Sequence, residues 1–427
     1  MRHSAIAAAL VATLVASDVL AAESLTSDQV VAIALQRNRD AIAARLDIEA
    51  AELDRVAAAV YPNPVFTYTL GNVVLGSANS QDQSPPVTAG PFSQTVHTIG
   101  VGGIIDIWNK RGTRIKAAER GTDQRRLLVE DALREIAYGV RSAFNDVVRE
   151  QADVALVREN RGRYSETIRI SRARRDAGDI SEAELRKIEL EGLRFENALI
   201  DEEMQLDLAR QRLASLLALG PENTIVPVTE APAARTVLAL EPLIERALRD
   251  RPDLQAARAA RVRATAAQKQ AGREALPDVS LGLSYTHSEF TVSGDNPNSL
   301  SLSLGVPLPL FDRNQANIGR ADLDVRRSEN DAERLRVRIR HDVADAVRRA
   351  RRSAALLDVF EGGGMLDRAE TALKVAERSY KSGAVSLLEL LEAQRTNTET
   401  REQYLRASHD YRQAMIDVTH AIAGELR

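Results

Sequence analysis

Few residues in this 427-residue chain have a spacing that could do chemistry. Glu389 and Glu392 stand three apart in YKSGAVSLLELLEAQ (380–394), which puts both carboxylates on one face of a helix. Such a face is either a solvated surface or, where copies of a chain converge on an axis, a ring of carboxylates that favours cations electrostatically. Spacing alone leaves both open. His97 and His287 stand singly on strand-like segments. His341, His409 and His420 fall on separate helical stretches, without the i,i+4 spacing of a helical metal site. Cysteine is absent, which excludes disulfides, thiolate metal sites, a Cys nucleophile and lipid attachment at a mature N-terminal Cys. The glycine-rich segments lack the strand–loop–helix setting of a phosphate loop. No catalytic residue, metal site or cofactor is expected, and the chain is not read as an enzyme.

The elements that position Glu389 and Glu392 follow from composition. Charged residues make up 28% and aromatics only 4%, a balance typical of long helices. Arg is interleaved with Asp and Glu, as on solvated helix faces, and the net charge of -4 gives no bulk attraction for nucleic acid. The opening MRHSAIAAALVATLVASDVLAAES has a basic start at Arg2 and His3, an apolar run too short to span a bilayer, and small residues at Ala21 and Ala22. Residues 1–22 are therefore expected to be a cleaved secretory signal.

The chain is written twice. ALQRNRDAIAAR (34–45) matches ALRDRPDLQAAR (247–258), IWNKRGTRIKAA (107–118) matches LFDRNQANIGRA (310–321), and AGDISEAEL (177–185) matches SGAVSLLEL (382–390). Three matches in one order indicate an internal duplication. The expected halves are 23–219 and 241–427, divided by a Pro-rich linker at 220–240. Each half reads as helix, strand, loop, strand, very long helix, sharp turn, long helix. The first helices are expected at about 26–59, unbroken, and 241–274. The strands are expected at about 64–75, 94–106, 278–291 and 299–309. The long helices are expected within 110–218 and 313–423, with a break at the triplet Gly362-Gly363-Gly364. A first long helix of about 67 residues would run roughly 100 Å, more than a globular domain needs.

The strands alternate. Leu281, Leu283 and Tyr285 oppose Ser280, Gly282 and Ser284; Leu300, Leu302 and Leu304 oppose Ser301, Ser303 and Gly305. A half-buried sheet, a small sandwich or a membrane barrel all fit. A barrel strand needs about 9–11 residues, apolar outward. Tyr61, Pro62, Pro64 and Trp108 in one half, and Pro309 and Phe311 in the other, stand where strands would meet helices, as interfacial aromatics do. Four strands cannot close a barrel and open edges cannot face lipid, so a barrel requires oligomerisation; three copies would give twelve strands, an ordinary size.

At the far turns, Gly383 stops one helix and Ser386 starts the next with Glu389 at its third position, an expected capping box; Gly178, Ser181 and Glu184 repeat the pattern. The signal segment, the duplication and this turn together resemble the TolC family of bacterial outer-membrane efflux channels, over essentially the whole mature chain. The resemblance implies a mostly α fold with a twelve-stranded trimeric barrel in outer-membrane lipid and a coiled-coil tunnel through the periplasm. It makes Glu389 and Glu392 the acids of the periplasmic aperture, with Glu184 and Lys187 at the matching first-half positions. Lys187 there either partly neutralises the ring or acts as its salt-bridge lock. Family members carry Asp where these glutamates stand. Gly178, Ser181, Gly383, Val385 and Ser386 become hairpin tips that contact a periplasmic adaptor. The family's Arg two positions after the turn glycine is Val385 here, so a lock built on that Arg is not expected. PLPLFDRNQANIGRA (307–321) and YPNP (61–64) resemble the CzcC-type subfamily serving heavy-metal efflux by inner-membrane pumps of the RND type. The expected function is a passive exit duct; a duct for drugs or exported protein, and a soluble periplasmic coiled-coil tether, are the alternatives.

Overall fold

A computed structural model describes residues 24–73, 75, 92, 94–220, 226–227, 238–289 and 296–424. The expected signal segment and most of the 220–240 linker lie outside the described residues. In chain order the elements are β1 (Ser24–Leu25), α1 (Ser27–Arg37), α2 (Arg39–Ala59), β2 (Val65–Gly71), β3 (Val96–Ile105), α3 (Lys110–Asp176), α4 (Glu182–Leu216), β4 (Val226–Pro227), α5 (Leu240–Asp250), α6 (Pro252–Glu274), β5 (Val279–Ser288), β6 (Asn298–Gly305), α7 (Gln315–Glu361), α8 (Met365–Lys381) and α9 (Leu387–Ala421).

The two halves share one spacing. Asn109 and Asn314, Gly178 and Gly383, and Ala218 and Ala423 all have positive φ, and each pair is 205 residues apart. Ser181 and Ser386 cap α4 and α9 at the same interval.

The first helix of each half is not continuous, contrary to expectation. It breaks at Asn38 and again at Arg251, which have extended ψ of 131° and 122°. Pro252 pushes the residue before it out of the helical region and starts the next helix. Asn38 reaches the same result with its side chain: Oδ1 accepts from Asp40 and Ala41 N–H (2.8 and 3.2 Å), while Nδ2 donates to Leu216 O (2.8 Å). The second long helix breaks between α7 and α8, where Gly362 and Gly363 N–H both turn to Asp358 O and Gly364 has φ 64°. A Cβ on Gly363 would sit 2.4 Å from Val359 O, so glycine is required there by space, whereas at Gly364 it is required by the positive φ. Its counterpart, α3, has no interruption over 67 residues.

Two compact units emerge. One comprises 1–46, 129–253 and 335–427. Its described part is helical, apart from the β1–β4 pair. Val30, Ala34, Val140, Phe144, Val147, Leu206 and Leu213 form one buried cluster; Tyr164, Leu185, Ile188, Leu373, Tyr380, Leu387 and Leu390 form another near the hairpin turns. The other unit comprises 47–128 and 254–334. It holds an antiparallel sheet ordered β2-β3-β5-β6, with helices tied by Thr122 to Ala51 O (3.1 Å), Arg126 to Glu52 (3.0 Å) and Arg261 to Glu329 (2.9 Å). β6 stops at Gly305, short of the expected 309, because Pro307 and Pro309 have no N–H to extend a ladder.

Candidate functional site

The sheet sorts most of its residues by face, with Val65 and Ile104 as apolar exceptions among the small ones. The register places Phe66 beside Val101 and Leu283, Tyr68 beside Ile99, Tyr285 and Leu300, and Leu281 beside Leu304. All of these project from one face, and all are exposed. The other face carries Thr67, Gly100, Ser284 and Ser301 in one row, with Gly102, Gly282 and Ser303 in the next. Those small residues are mutually required: a Cβ on Gly100 would meet Thr67 Oγ1 at 2.9 Å, and one on Gly282 would meet Ser303 Oγ at 2.6 Å. An exposed apolar face backed by a small polar one suits lipid outside and water inside. β2 and β6 are the sheet's edges, and the sheet does not close on itself.

The expected junction residues gather where strands meet helices. Tyr61 lies under the Arg111 guanidinium (4.3 Å to the ring centroid), whose Nε donates to Ala59 O (2.6 Å). Trp108 donates from Nε1 to Pro277 O (2.9 Å), and Lys110 pairs with Asp278 (2.7 Å). Asp106 starts α3 by accepting from the Lys110 and Arg111 backbone N–H, each at 2.8 Å. Burial works to raise that carboxyl, but the N–H groups of Arg111 and Lys110 outweigh it and hold it below the ordinary range. Pro62, Pro64 and Pro309 lie outside regular structure, and Phe311 is 91% exposed.

The two far turns are built alike. Gly178 and Gly383 take φ 85° and 78°. The next residues, Asp179 and Ala384, donate to Arg174 O (2.9 Å) and Ser379 O (2.8 Å), a Schellman closure in both. They differ at the caps. Ser181 and Glu184 form a complete box, with Ser181 N–H donating to Glu184 Oε2 at 2.9 Å. The second box, expected from Ser386 and Glu389, is only half made: Glu389 N–H donates to Ser386 Oγ (3.3 Å), and the reciprocal bond is absent. Glu184 is thus held within its own turn. Glu389, Glu392 and Lys187 are exposed. Lys187 makes no ion pair within the chain among the described residues. Val385 is half-buried against the tip cluster and packs rather than locks.

A charged tie between the hairpins was not legible in the spacing. Arg163 on α3 pairs with Glu159 (2.8 Å), Glu370 (3.4 Å) and Glu377 (3.3 Å), the last two on α8. Arg401 also reaches Glu159, at 2.8 Å. Burial opposes the Arg163 charge, but the three carboxylates outweigh it and raise its pKa; the hydrogen bond from Arg401, assisted by Arg163, depresses Glu159. Nearby, Tyr380 Oη and Ser171 Oγ meet at 2.8 Å in a fully buried contact, and Arg174 Nη1 donates to Tyr380 O (3.1 Å). Tyr380 stands three residues before a turn glycine, an apolar position at the end of a helix, which is the one local signal of its role.

Glu150, Asp153 and Glu202 bring their carboxylates within 4.8 Å of one another. Burial raises the pKa of Glu150, Glu202 and neighbouring Glu402, with Asp153 adding to each. A carboxyl whose folded pKa is raised costs stability above that pKa, and the cost disappears as pH falls through it. Lowering pH from neutral towards the ordinary glutamate value of 4.5 should therefore raise the thermal midpoint of this unit. Glu202→Gln at neutral pH should raise it by about 1–3 °C and flatten the pH dependence, measured by circular dichroism. A midpoint that falls with either change would refute this.

Residues 30–219 and 243–424 match the family described as outer membrane efflux protein. The chain belongs to that family. It is 25% identical over 388 residues to the cobalt-zinc-cadmium resistance protein CzcC of Cupriavidus metallidurans, covering 90% of this chain and 87% of that one. It is 27% identical over 422 residues to outer membrane protein OprJ of Pseudomonas aeruginosa, covering 93% and 83%. Its fold matches the crystal structure of outer membrane protein VceC of Vibrio cholerae with a TM-score of 0.72 at 18% identity, over 94% and 97% of the two chains. The chain is accordingly an outer-membrane efflux channel and not an enzyme, with its strands in the membrane and its long helices in the periplasm. Family membership sets aside the soluble tether. Among the described residues no helix is long and apolar enough to cross a membrane.

Proposed function

We propose that three copies of the chain close a twelve-stranded barrel and serve as the exit duct of a tripartite efflux system, passing divalent heavy-metal cations from an inner-membrane RND pump through a periplasmic adaptor. The observation that carries the reading is the sheet: the large apolar side chains from Phe66 and Tyr68 across to Leu300 and Leu304 are exposed on one face, and its edges β2 and β6 are left to pair with other copies. A second surface supports assembly. Leu190, Leu193, Ile200, Met204 and Leu208 form an exposed apolar stripe along α4, at the spacing of a helix–helix seam. The cargo rests on similarity to a cobalt-zinc-cadmium resistance protein and on the segment 307–321. Chemical cross-linking of the purified channel should stop at three chains. A strain lacking it should lose tolerance to cobalt, zinc or cadmium; unaltered tolerance to all three would point to another cargo.

The aperture is assigned to Glu389 and Glu392, whose carboxylates are exposed on the side of α9 away from buried Leu387, Leu390 and Gln394. Three copies bring six carboxylates, with Lys187 opposing them. Replacing both by Gln should move the cation-to-anion permeability ratio towards unity in planar bilayers. Unaltered selectivity would remove these residues from the constriction. The hairpins ending at Gly178–Ser181 and Gly383–Ser386 are assigned to the adaptor contact.

A further inference from the structure

The sheet register brings together two histidines that look unrelated in sequence. His97 of β3 and His287 of β5 are direct cross-strand partners, each one residue from the end of its strand. They stand at the end of the sheet remote from the start of α3 and the close of α6. Directly opposite residues share a face, with Cβ atoms about 4.5–5.5 Å apart. Two imidazoles at that separation can converge on one ion at about 2.0–2.1 Å.

Each ring is already held through its Nδ1. His287 Nδ1 lies 2.9 Å from Asn298 Oδ1, which also accepts from the Tyr285 hydroxyl. An amide oxygen only accepts, so the His287 proton is on Nδ1 and Nε2 presents a lone pair. His97 Nδ1 lies 2.8 Å from the Tyr68 hydroxyl, which can accept as well as donate. With Tyr68 accepting, His97 Nε2 carries the lone pair, and Thr95 Oγ1, 3.3 Å away, donates its hydroxyl to Phe92 O (3.1 Å) instead. Orienting one ring nitrogen so that the other is available is what the outer partners of a metal-bound histidine do. Glu289 continues the ladder two residues beyond His287, its N–H donating to Thr95 O (3.0 Å). Both residues are half-buried.

We propose that His97 and His287 form a cation site on the apolar side of the sheet, selective for zinc, nickel or copper over magnesium and calcium because the donors are imidazoles. β3 ends the first-half hairpin and β5 begins the second-half one, so a bound ion would staple the two repeats where they meet. The site is separate from the aperture acids and independent of the cargo.

Nickel titration of the purified full-length channel in detergent tests this, with diethyl pyrocarbonate footprinting read by mass spectrometry. Expected results are one nickel per chain and joint protection of His97 and His287. His97→Gln or His287→Gln should weaken binding by at least about tenfold and expose the remaining histidine. Asn298→Ala should weaken it by about tenfold with both histidines still protected together, and His341→Ala should leave it unchanged. Protection of one histidine without the other would overturn the proposal. So would unchanged affinity in the doubly substituted protein, which would place the ion elsewhere, for example at Glu150, Asp153 and Glu202. Circular dichroism and cross-linking of each variant separate loss of the site from loss of fold.

Discussion

Leu302→Arg should remove the protein from the outer membrane. Leu302 is in the middle of β6, beside Leu283, and is 73% exposed. On a water-facing surface such a change is worth within about 0.5 kcal/mol. On a lipid-facing strand, Arg near the bilayer midplane costs about 2–4 kcal/mol, so a trimer carrying three would lose about 6–12 kcal/mol. That is comparable with the whole stability of a domain, about 5–15 kcal/mol. The matched control is Ser301→Arg, one residue away on the face of small polar residues, which should still insert because a lumen accepts charge. Membrane fractionation decides between them. Equal insertion of the two variants would mean that the apolar face does not meet lipid.

Arg163→Ala should loosen the hairpins and raise the conductance of the resting channel. The side chain ties α3 to two carboxylates of α8 as well as to Glu159. Its loss leaves Glu377 without an ion partner among the described residues, whereas Glu370 keeps Lys374 (3.3 Å) and Glu159 keeps Arg401. Removing one member of a buried pair costs about 3–5 kcal/mol, and these groups are partly exposed, so about 1–3 kcal/mol is expected. Arg163→Lys should recover only part, because an ammonium cannot present a planar fork to three acceptors. Adding Glu377→Gln to Arg163→Ala should restore stability. Urea unfolding and single-channel recording check both statements; unchanged midpoint and conductance would show that Arg163 holds nothing. Glu159 adds a pH signature. Its lowered pKa means that its contribution is complete above the ordinary glutamate range and is lost as pH falls through the depressed value.

The strands were legible because a two-residue period survives any tertiary context that buries or wets one face. The turns were legible because glycine at positive φ and a serine cap leave local marks. The break at Arg251 was also marked, by Pro252. The break at Asn38 was not, since the side chain that caps α2 sits inside an apolar pattern that runs on through it. The open second capping box shows a limit of motif reading: Ser and Glu at the right spacing permit the reciprocal bond without enforcing it. Arg163 was invisible for another reason. Its α8 partners are 207 and 214 residues away, and in sequence it is one arginine among many on a charged helix. His97 and His287 were seen, but as isolated residues, because only the pairing register makes them neighbours.

The glycine joint between α7 and α8 has a mechanical consequence. In the proposed trimer every chain contributes two repeat-related columns, one continuous through α3 and one jointed at Gly362–Gly364. Going round the ring, stiff staves then alternate with compliant ones, six in all but only threefold in their elasticity. A load applied evenly at the tips would not be shared evenly: the jointed staves would flex while their neighbours act as splints. Divergence at one short segment after duplication is enough to turn a barrel of equal staves into one with three built-in springs.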